Sequence, residues 1–357
     1  MRTAHEIVTD LLGVWAIGAC SPGEAEMVRE HLPRCASCAA EAARLRGAAD
    51  LLGASAAPPD RLRARTMERA KARRPAAPPC PGYAEPYAAQ VSMLDSLLGG
   101  LADADWRANV IFGWSVQDVL AHLAASDSLV AAGVGVDVGL NVDDVDDEVA
   151  PQPPPAVADS VLDQVLARRT AAVIGRERRR TPEATRTTWR EQAHALCRAL
   201  PPDPAVHAPG IRLRISDLIV ARAFETWVHS DDIATTLSST LPPPLPRHLR
   251  PLAALGVRSL PRGLAKMGSG RSGLVAQVVL DGPGGGEWTI GLGGARTDAD
   301  AAHPVAPEPA VRVRMDVLEF CFLAGGRRDP ATVAAEVTGD QDLARDLLVA
   351  APAFSGP

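Results

Sequence analysis

Trp114-Ser-Val-Gln-Asp-Val-Leu-Ala-His122, residues 114–122, is the stretch from which the main domain can be predicted. Ser115 and Asp118 have the spacing of a capping box, so a helix should begin after Ser115 and continue to about residue 131. His122 lies two turns into that helix. Apolar spacing predicts further helices over 86–103, 156–178 and 217–237. Four long helices with one or two long connections are typical of a helix bundle.

A second motif follows about a hundred residues later, Glu225-Thr-Trp-Val-His229-Ser-Asp-Asp232. Glu225 and His229 are four residues apart, so they share one face of a helix that Ser216 or Asp217 should cap. With His122 they offer two imidazoles and a carboxylate, a usual ligand set for an open metal site. A histidine on an apolar helix face is also common without a metal, so the spacing leaves both interpretations open. Asp231 and Asp232 are expected at the surface, where either could support His229 as a hydrogen-bond partner.

A separate group of metal-ligand side chains lies near the N-terminus, in His31-Leu-Pro-Arg-Cys35-Ala-Ser-Cys38. The H-x3-C-x2-C spacing fits tetrahedral zinc, and His5 and Cys20 are both candidates for the fourth ligand. Zinc binding contributes roughly 10–16 kcal/mol to the folding of small metal domains, so such a site would be structural. Short helices are predicted over 4–19, 22–32 and 35–53, the second opened by a capping box at Ser21.

Composition and breaks in the pattern predict three domains. An Arg-rich helix over 60–74 and a Pro-rich linker over 75–85 follow the first helices, and an acidic, then Pro-rich loop covers 136–155. Beyond about residue 243 the pattern changes to strands around a hairpin turn at 282–286, followed by short helices. The strands are predicted over 272–281, 287–293 and 310–316, and the helices over 316–324 and 340–350. The domains are therefore placed at 1–74, 86–240 and 241–357, with the linker at 75–85.

The charge balance and composition exclude several classes of function. The net charge is −6, from 37 basic and 43 acidic residues, so no direct nucleic-acid binding is expected. No apolar run approaches the ~20 residues of a membrane span, and the first twenty residues lack the basic start of a signal peptide. The six cysteines are scattered apart from Cys35 and Cys38, which favours metal chemistry over disulfides. A cytoplasmic protein with no membrane partner is expected.

Residues 1–74 resemble the zinc-binding anti-sigma family. The resemblance rests on the H-x3-C-x2-C motif between two helices and on the segment Pro58-Pro59-Asp-Arg-Leu62-Arg-Ala-Arg65. Members of that family take their first zinc ligand from the first helix, where His5 stands in this chain. The resemblance thus implies a structural zinc held by four residues: His5, His31, Cys35 and Cys38. It also implies a partner, an extracytoplasmic-function sigma factor that is kept from RNA polymerase.

Residues 86–350 resemble the mycothiol-dependent maleylpyruvate isomerase family, in which a DinB-like four-helix bundle precedes a small α+β domain. The matching residues are W-x3-D-V-x2-H up to His122, E-x-W-V-H-x2-D-I from Glu225 to Ile233, and the pairs Gly326-Arg327 and Gly339-Asp340. The resemblance implies that His122, Glu225 and His229 bind a divalent metal, with zinc expected. That metal would activate the thiol of mycothiol or of a mycothiol adduct. Because members differ in substrate, the reaction stays open.

Together the resemblances predict a mainly α fold: a small zinc-bound helical N-terminal domain, a DinB-like four-helix bundle and a small α+β C-terminal domain. The first function they predict is an anti-sigma factor whose bundle senses a metal, mycothiol or a mycothiol adduct. The alternative is a mycothiol-dependent metalloenzyme, an isomerase or a thiol S-transferase, with an accessory zinc domain. Mycothiol is the small thiol of actinobacteria, and the Ala- and Arg-rich composition fits such a source.

Overall fold

The computed structural model describes residues 3–51, 77–136, 161–205, 214–293 and 308–354. The chain forms two compact units, Met1–Arg73 and Arg74–Pro357. The predicted Arg-rich helix over 60–74, the Pro58–Arg65 segment and nearly all of the acidic loop lie outside the described residues. Within the described ranges, none of the helices combines the length and the apolar character that a bilayer crossing requires.

Among its described residues, 3–51, the N-terminal unit has three helices, α1 (Ala4–Ala16), α2 (Pro22–His31) and α3 (Ala36–Leu51). Thr3 and Ser21 each form a capping box with the glutamate three residues later, which fixes where α1 and α2 begin. The buried apolar cluster is small, and it consists of Val8, Leu12, Val28, Cys38 and Ala42. Domains with so little buried apolar surface usually need a metal, disulfides or a partner to be stable. The packing therefore supports a structural role for the metal-ligand side chains that were predicted in this unit.

The second unit begins with a bundle whose helices are α4 (Glu85–Leu98), α5 (Val116–Gly133), α6 (Val161–Glu177), α7 (Pro182–Ala199) and α8 (Ile215–Thr236). A short hairpin, β1 (Asn109–Ile111) and β2 (Trp114–Ser115), precedes α5. The predicted capping box of α5 is confirmed, since the Ser115 side chain accepts from the Asp118 N–H and Asp118 accepts from the Ser115 N–H. The predicted cap of α8 is wrong: its N-cap is Arg214, which makes no side-chain cap bond.

Helix α7 was absent from the prediction. It begins at Pro182 after Thr181, whose side chain accepts from the Ala184 N–H. Its buried face consists of Thr185, Trp189, Ala193, Leu196 and Cys197. Because that face mixes polar, small and aromatic side chains, it does not stand out as an apolar stripe.

The rest of the unit contains α9 (Pro246–Lys266), a four-stranded sheet, α10 (Val317–Ala324) and α11 (Gln341–Ala350). The strands are β3 (Val275–Asp281), β4 (Gly286–Gly291), β5 (Val311–Asp316) and β6 (Glu336–Gly339). Their order is β4-β3-β5-β6, with β3 and β5 parallel and the outer pairs antiparallel. The hairpin over 282–286 is confirmed. Both α9 and β6 were missed, α9 because it holds Pro251 and Pro261 in its interior.

One continuous apolar core runs from the bundle through α9 to the sheet, and it includes Tyr87, Leu120, Trp189, Ile219, Leu252, Val278, Val313 and Phe320. Helix α5 packs against α6, α7 and α8, while α4 packs mainly against α8. The mainly α fold class is thereby confirmed. The same packing places one face of α5 opposite one face of α8, which is where the two sequence motifs meet.

Candidate metal centres

The facing sides of α5 and α8 bring His122, Glu225 and His229 together, with one ligand atom of each within 4.8 Å of the others. His122 Nε2 lies 2.6 Å from Glu225 Oε1. The His122 and His229 ring centroids are 5.2 Å apart and the planes are nearly perpendicular. Both histidines are buried, whereas the Glu225 side chain is 28% exposed, so the cluster reaches solvent on the Glu225 side.

Each imidazole of this cluster has a hydrogen-bond partner on its other nitrogen. His122 Nδ1 lies 3.2 Å from the Thr170 hydroxyl of α6, and His229 Nδ1 lies 3.0 Å from Asp232 Oδ2. Contacts of this kind orient a ligating imidazole and direct its Nε2 toward the metal position. Burial lowers the pKa of His229. The neutral, metal-binding form of that ring therefore persists to more acidic pH than in an exposed histidine.

Asp232 is less exposed than predicted, since its side chain is only 11% exposed, but it forms the contact with His229 that was predicted for one of the two aspartates. Arg327, which follows α10, donates from Nε to Asp232 Oδ1 over 3.0 Å. Burial raises the pKa of Asp232, but the hydrogen bonds from His229 and Arg327 outweigh it and the net shift is downward. Asp232 is thus an ionised link between the cluster and the C-terminal part of the unit.

A series of buried, hydrogen-bonded side chains contacts the other oxygen of Glu225. Arg222 donates from Nη1 to Glu225 Oε2, and its Nε donates to Asp127 Oδ1 over 2.7 Å. The Tyr87 hydroxyl donates to Asp127 Oδ2, also over 2.7 Å. Burial opposes ionisation of Glu225, but the charge of Arg222 and the hydrogen bond from His122 outweigh it and hold the pKa of that carboxyl well below its usual range. Sequence reasoning missed Arg222 and Asp127, although a charged residue on an apolar helix face was a possible signal.

Substitution of Asp232 by asparagine is expected to weaken metal binding at the bundle cluster by about 10–100-fold, the usual effect of losing a partner that orients a ligand. The neutral amide would still contact His229 but would no longer stabilise its ligating form. The dissociation constant can be measured by competition with a chromophoric chelator. Asp231→Asn is the matched control, because no hydrogen bond joins Asp231 to His229 among the described contacts. Equal affinity in both variants would contradict the role assigned to Asp232.

The N-terminal unit holds the other cluster, in which ligand atoms of His5, His31, Cys35 and Cys38 all lie within 4.8 Å of one another. The sulfurs of Cys35 and Cys38 are 3.6 and 3.5 Å from His5 Nδ1. His31 Nε2 is buried and has no hydrogen-bond partner among the described residues. An unsatisfied buried nitrogen is costly, and a bound cation would satisfy it. Two thiolates and two imidazoles in this arrangement fit a closed, structural zinc site.

The charge state of the cysteines also suits a metal. The Ser37 hydroxyl and the Cys38 backbone N–H lower the pKa of Cys35 to about 5, whereas burial raises the pKa of Cys38. At neutral pH one thiolate is therefore available before any metal arrives, and the thiolate is the ligating form.

Of the two candidates for the fourth ligand, the structure brings His5 rather than Cys20 into the cluster. Cys20 Sγ instead lies 4.0 Å from the Leu11 carbonyl. We expect Cys20→Ser to retain the zinc content of the wild type, measured by atomic absorption after dialysis. His5→Ala should lose zinc under the same dialysis, because it removes one of four donors. Zinc loss in Cys20→Ser alone would reverse this assignment.

Comparison with known proteins bears on the second unit. Residues 87–234 match the family described as the mycothiol maleylpyruvate isomerase N-terminal domain. Two uncharacterized proteins of Mycobacterium tuberculosis, from strains CDC 1551 / Oshkosh and ATCC 25618 / H37Rv, are 27% identical over 268 residues, which cover 74% of this chain and 91% of theirs. Crystal structures of the mycothiol-dependent maleylpyruvate isomerase and of a point mutant share 16% identity with a TM-score of 0.43, over 71% of this chain and 91% of those chains.

Residues 87–234 are therefore similar to the mycothiol maleylpyruvate isomerase N-terminal domain. The matched range includes His122, Glu225 and His229, and it begins after the N-terminal unit. The resemblance inferred from the motifs is confirmed for this part of the chain.

Proposed function

We propose that the chain is a metal-dependent enzyme that acts on mycothiol or a mycothiol adduct, as an isomerase or a thiol S-transferase. The observation that carries the proposal is the meeting of His122, Glu225 and His229 inside a mycothiol maleylpyruvate isomerase-like domain. The alternative predicted from the sequence, a mycothiol-dependent metalloenzyme, thus becomes the leading function. The reason is that the family match and the ligand cluster both lie in the second unit.

The residues present fit a divalent metal, with zinc expected. The donor set is two imidazoles and one carboxylate, which leaves at least one position for an outside ligand in an open site. Glu225 is ionised and His229 favours its neutral form, and these are the states that ligate. When bound at such a site, a metal lowers the pKa of a coordinated thiol and supplies a thiolate at neutral pH.

The chain's own residues then have separable roles. His122, Glu225 and His229 would hold the metal, and Thr170 and Asp232 would orient the two imidazoles through Nδ1. Arg327 would fix Asp232. Burial of both rings keeps bulk water from the inner side of the site, and the exposed edge of Glu225 marks where a thiol could enter.

The test is turnover and binding with mycothiol. We expect the metal-loaded protein to bind mycothiol in calorimetry and to isomerise maleylpyruvate, or to form or cleave mycothiol conjugates, only when mycothiol is present. Removal of the metal by a chelator should abolish turnover, and adding it back should restore turnover. A metal-loaded protein that neither binds mycothiol nor turns over any conjugate would refute the proposal.

A second function, sequestration of an extracytoplasmic-function sigma factor by the N-terminal unit, is favoured by one observation. The unsatisfied His31 Nε2 lies among His5, Cys35 and Cys38, which supports the zinc site expected of an anti-sigma domain. In that case the bundle would act as a sensor. The full chain should co-purify one to one with the sigma factor encoded beside its gene, and Cys35→Ser should abolish the complex. Absence of any complex would exclude this role.

A further inference from the structure

We infer that Arg222 is a positioning residue for the bundle metal site: it occupies one oxygen of Glu225 and leaves the other as the single oxygen that can ligate. The inference rests on the proposed metal site of His122, Glu225 and His229, and it adds a residue outside that set. It assigns a function to a series of buried, hydrogen-bonded side chains whose presence is not explained by stability alone.

The two oxygens of Glu225 face different partners. Oε1 lies 2.6 Å from His122 Nε2 and 3.3 Å from the Ser126 hydroxyl, on the side of the cluster. Oε2 accepts from Nη1 of Arg222, whose side chain is 7% exposed. A charge-assisted bond from a guanidinium is among the stronger hydrogen bonds in proteins. The carboxylate is therefore held with Oε1 turned toward the two imidazoles.

Arg222 is itself held in position by Asp127. Its Nε donates to Asp127 Oδ1 over 2.7 Å, and Asp127 is fully buried. The Tyr87 hydroxyl donates to the other oxygen of Asp127 over 2.7 Å. The chain Tyr87–Asp127–Arg222–Glu225 thus runs from α4 through α5 to α8. Because Asp127 balances the charge of Arg222, the guanidinium can lie next to a metal site without making its net charge more positive.

The cost of this chain argues for a role beyond stability. Nη2 of Arg222 is buried and has no hydrogen-bond partner among the described residues. A buried donor left unsatisfied destabilises a fold, and buried ion pairs replaced by well-packed apolar residues often give equal or greater stability. The protein retains both the unsatisfied donor and the buried ion pair. Their presence is explained if the guanidinium must fix the orientation of Glu225.

The orientation of Glu225 determines how many coordination positions on a bound metal stay open. A carboxylate that binds through one oxygen takes one coordination position, whereas a bidentate carboxylate takes two. With Oε2 held by Arg222, Glu225 leaves the additional position to an outside ligand. The class of ligand that this favours is a thiol together with a second donor, such as a substrate oxygen.

The experiment uses the full chain with zinc filling the cysteine-containing N-terminal site and cobalt(II) added to the bundle site. Absence of sulfur-to-cobalt absorption bands verifies that cobalt is not in the N-terminal site. Three proteins are compared: the wild type, Arg222→Gln, and the double variant Asp127→Asn/Arg222→Gln. The double variant removes both buried charges, so it should fold better than the single variant, which leaves Asp127 unpaired.

We expect both variants to bind cobalt about 10–100-fold more weakly than the wild type, the effect typical of lost support to a ligand, and to show weaker visible absorption from a higher coordination number. The thermal midpoint should recover in the double variant while the changed spectrum persists. A double variant with wild-type affinity and spectrum would overturn the inference, because Arg222 would then be only structural.

A crystal structure of the cobalt-loaded wild type tests the same point without any variant. It should show Glu225 bound through one oxygen, with Arg222 on the other, and a bidentate Glu225 would overturn the inference. A wild type that takes no cobalt into the bundle would instead refute the proposed function itself. The two failures are therefore distinguishable.

Discussion

The His122→Ala variant is expected to lose the bundle metal and to lower mycothiol-dependent turnover by more than about 100-fold, since a lost ligand should exceed the 10–100-fold effect of a lost second-layer partner. His122 supplies one of three protein donors, and its Nε2 also contacts Glu225 Oε1 at 2.6 Å. Its removal therefore takes away a donor and frees the carboxylate that must ligate. Metal content per chain and the turnover of a mycothiol conjugate are measured on the same preparation.

The matched control is His194→Ala. His194 lies on α7, is partly exposed and belongs to neither ligand group among the described residues. Its replacement should leave metal content and turnover at the wild-type level. Metal bound at the N-terminal cluster would serve as an internal standard, because it should persist in both variants. Full turnover in a His122→Ala protein that has lost its bundle metal would mean that the metal is not part of the reaction.

How far the sequence predicts this molecule depends on whether the signal is local. Capping boxes at Ser21 and Ser115 gave correct helix starts, because the two partners lie three residues apart. The hairpin over 282–286 was predicted for the same reason. Helix α9 was missed because Pro251 and Pro261 are local signals against a helix, and the packing of α9 on α8 and the sheet outweighs them.

The same distinction between local and distant signals applies to the residues of the bundle site. Ligand residues such as His122 and Glu225 were identified from residue type and spacing, and the structure brings them together. Of the residues that support them, Asp232 was predicted as a possible partner of His229, and Arg327 was noted only as part of the Gly326-Arg327 pair. The others were missed: Thr170, Asp127 and Arg222. The contact between His122 and Thr170 joins positions 48 apart, and the one between Arg327 and Asp232 joins positions 95 apart. No periodic pattern carries such a pairing, so only the packed helices reveal it.

The two clusters differ in what they can do. The bundle cluster has three donors and an exposed edge at Glu225, whereas the N-terminal cluster has four donors. A four-donor set of two thiolates and two imidazoles closes the coordination sphere, so it stabilises a fold and leaves no position for a substrate. Under the proposed function, catalysis would therefore belong to the bundle, and a zinc ion in the N-terminal cluster would be structural.

From that assignment, the Cys35→Ser/Cys38→Ser variant is expected to unfold the N-terminal unit while the second unit stays folded. Structural zinc contributes roughly 10–16 kcal/mol of folding free energy, which is as large as the 5–15 kcal/mol net stability of a typical domain. In the described part of this unit, residues 3–51, the buried apolar cluster has five members, one of which is Cys38 itself. Without the metal, the remaining apolar contacts should not compensate for the chain entropy of α1, α2 and α3.

Hydrogen exchange followed by mass spectrometry separates the two units. Peptides from 3–51 should lose their protection in the double variant, and peptides from 214–293 should exchange as in the wild type. A chelator added to the wild type should reproduce the loss in 3–51, which shows that zinc rather than the cysteine side chains is responsible. Because the second unit has its own continuous core, its protection should not depend on the N-terminal zinc. Wild-type protection of 3–51 in a zinc-free variant would show that the small apolar cluster is sufficient, and the metal would then need another role.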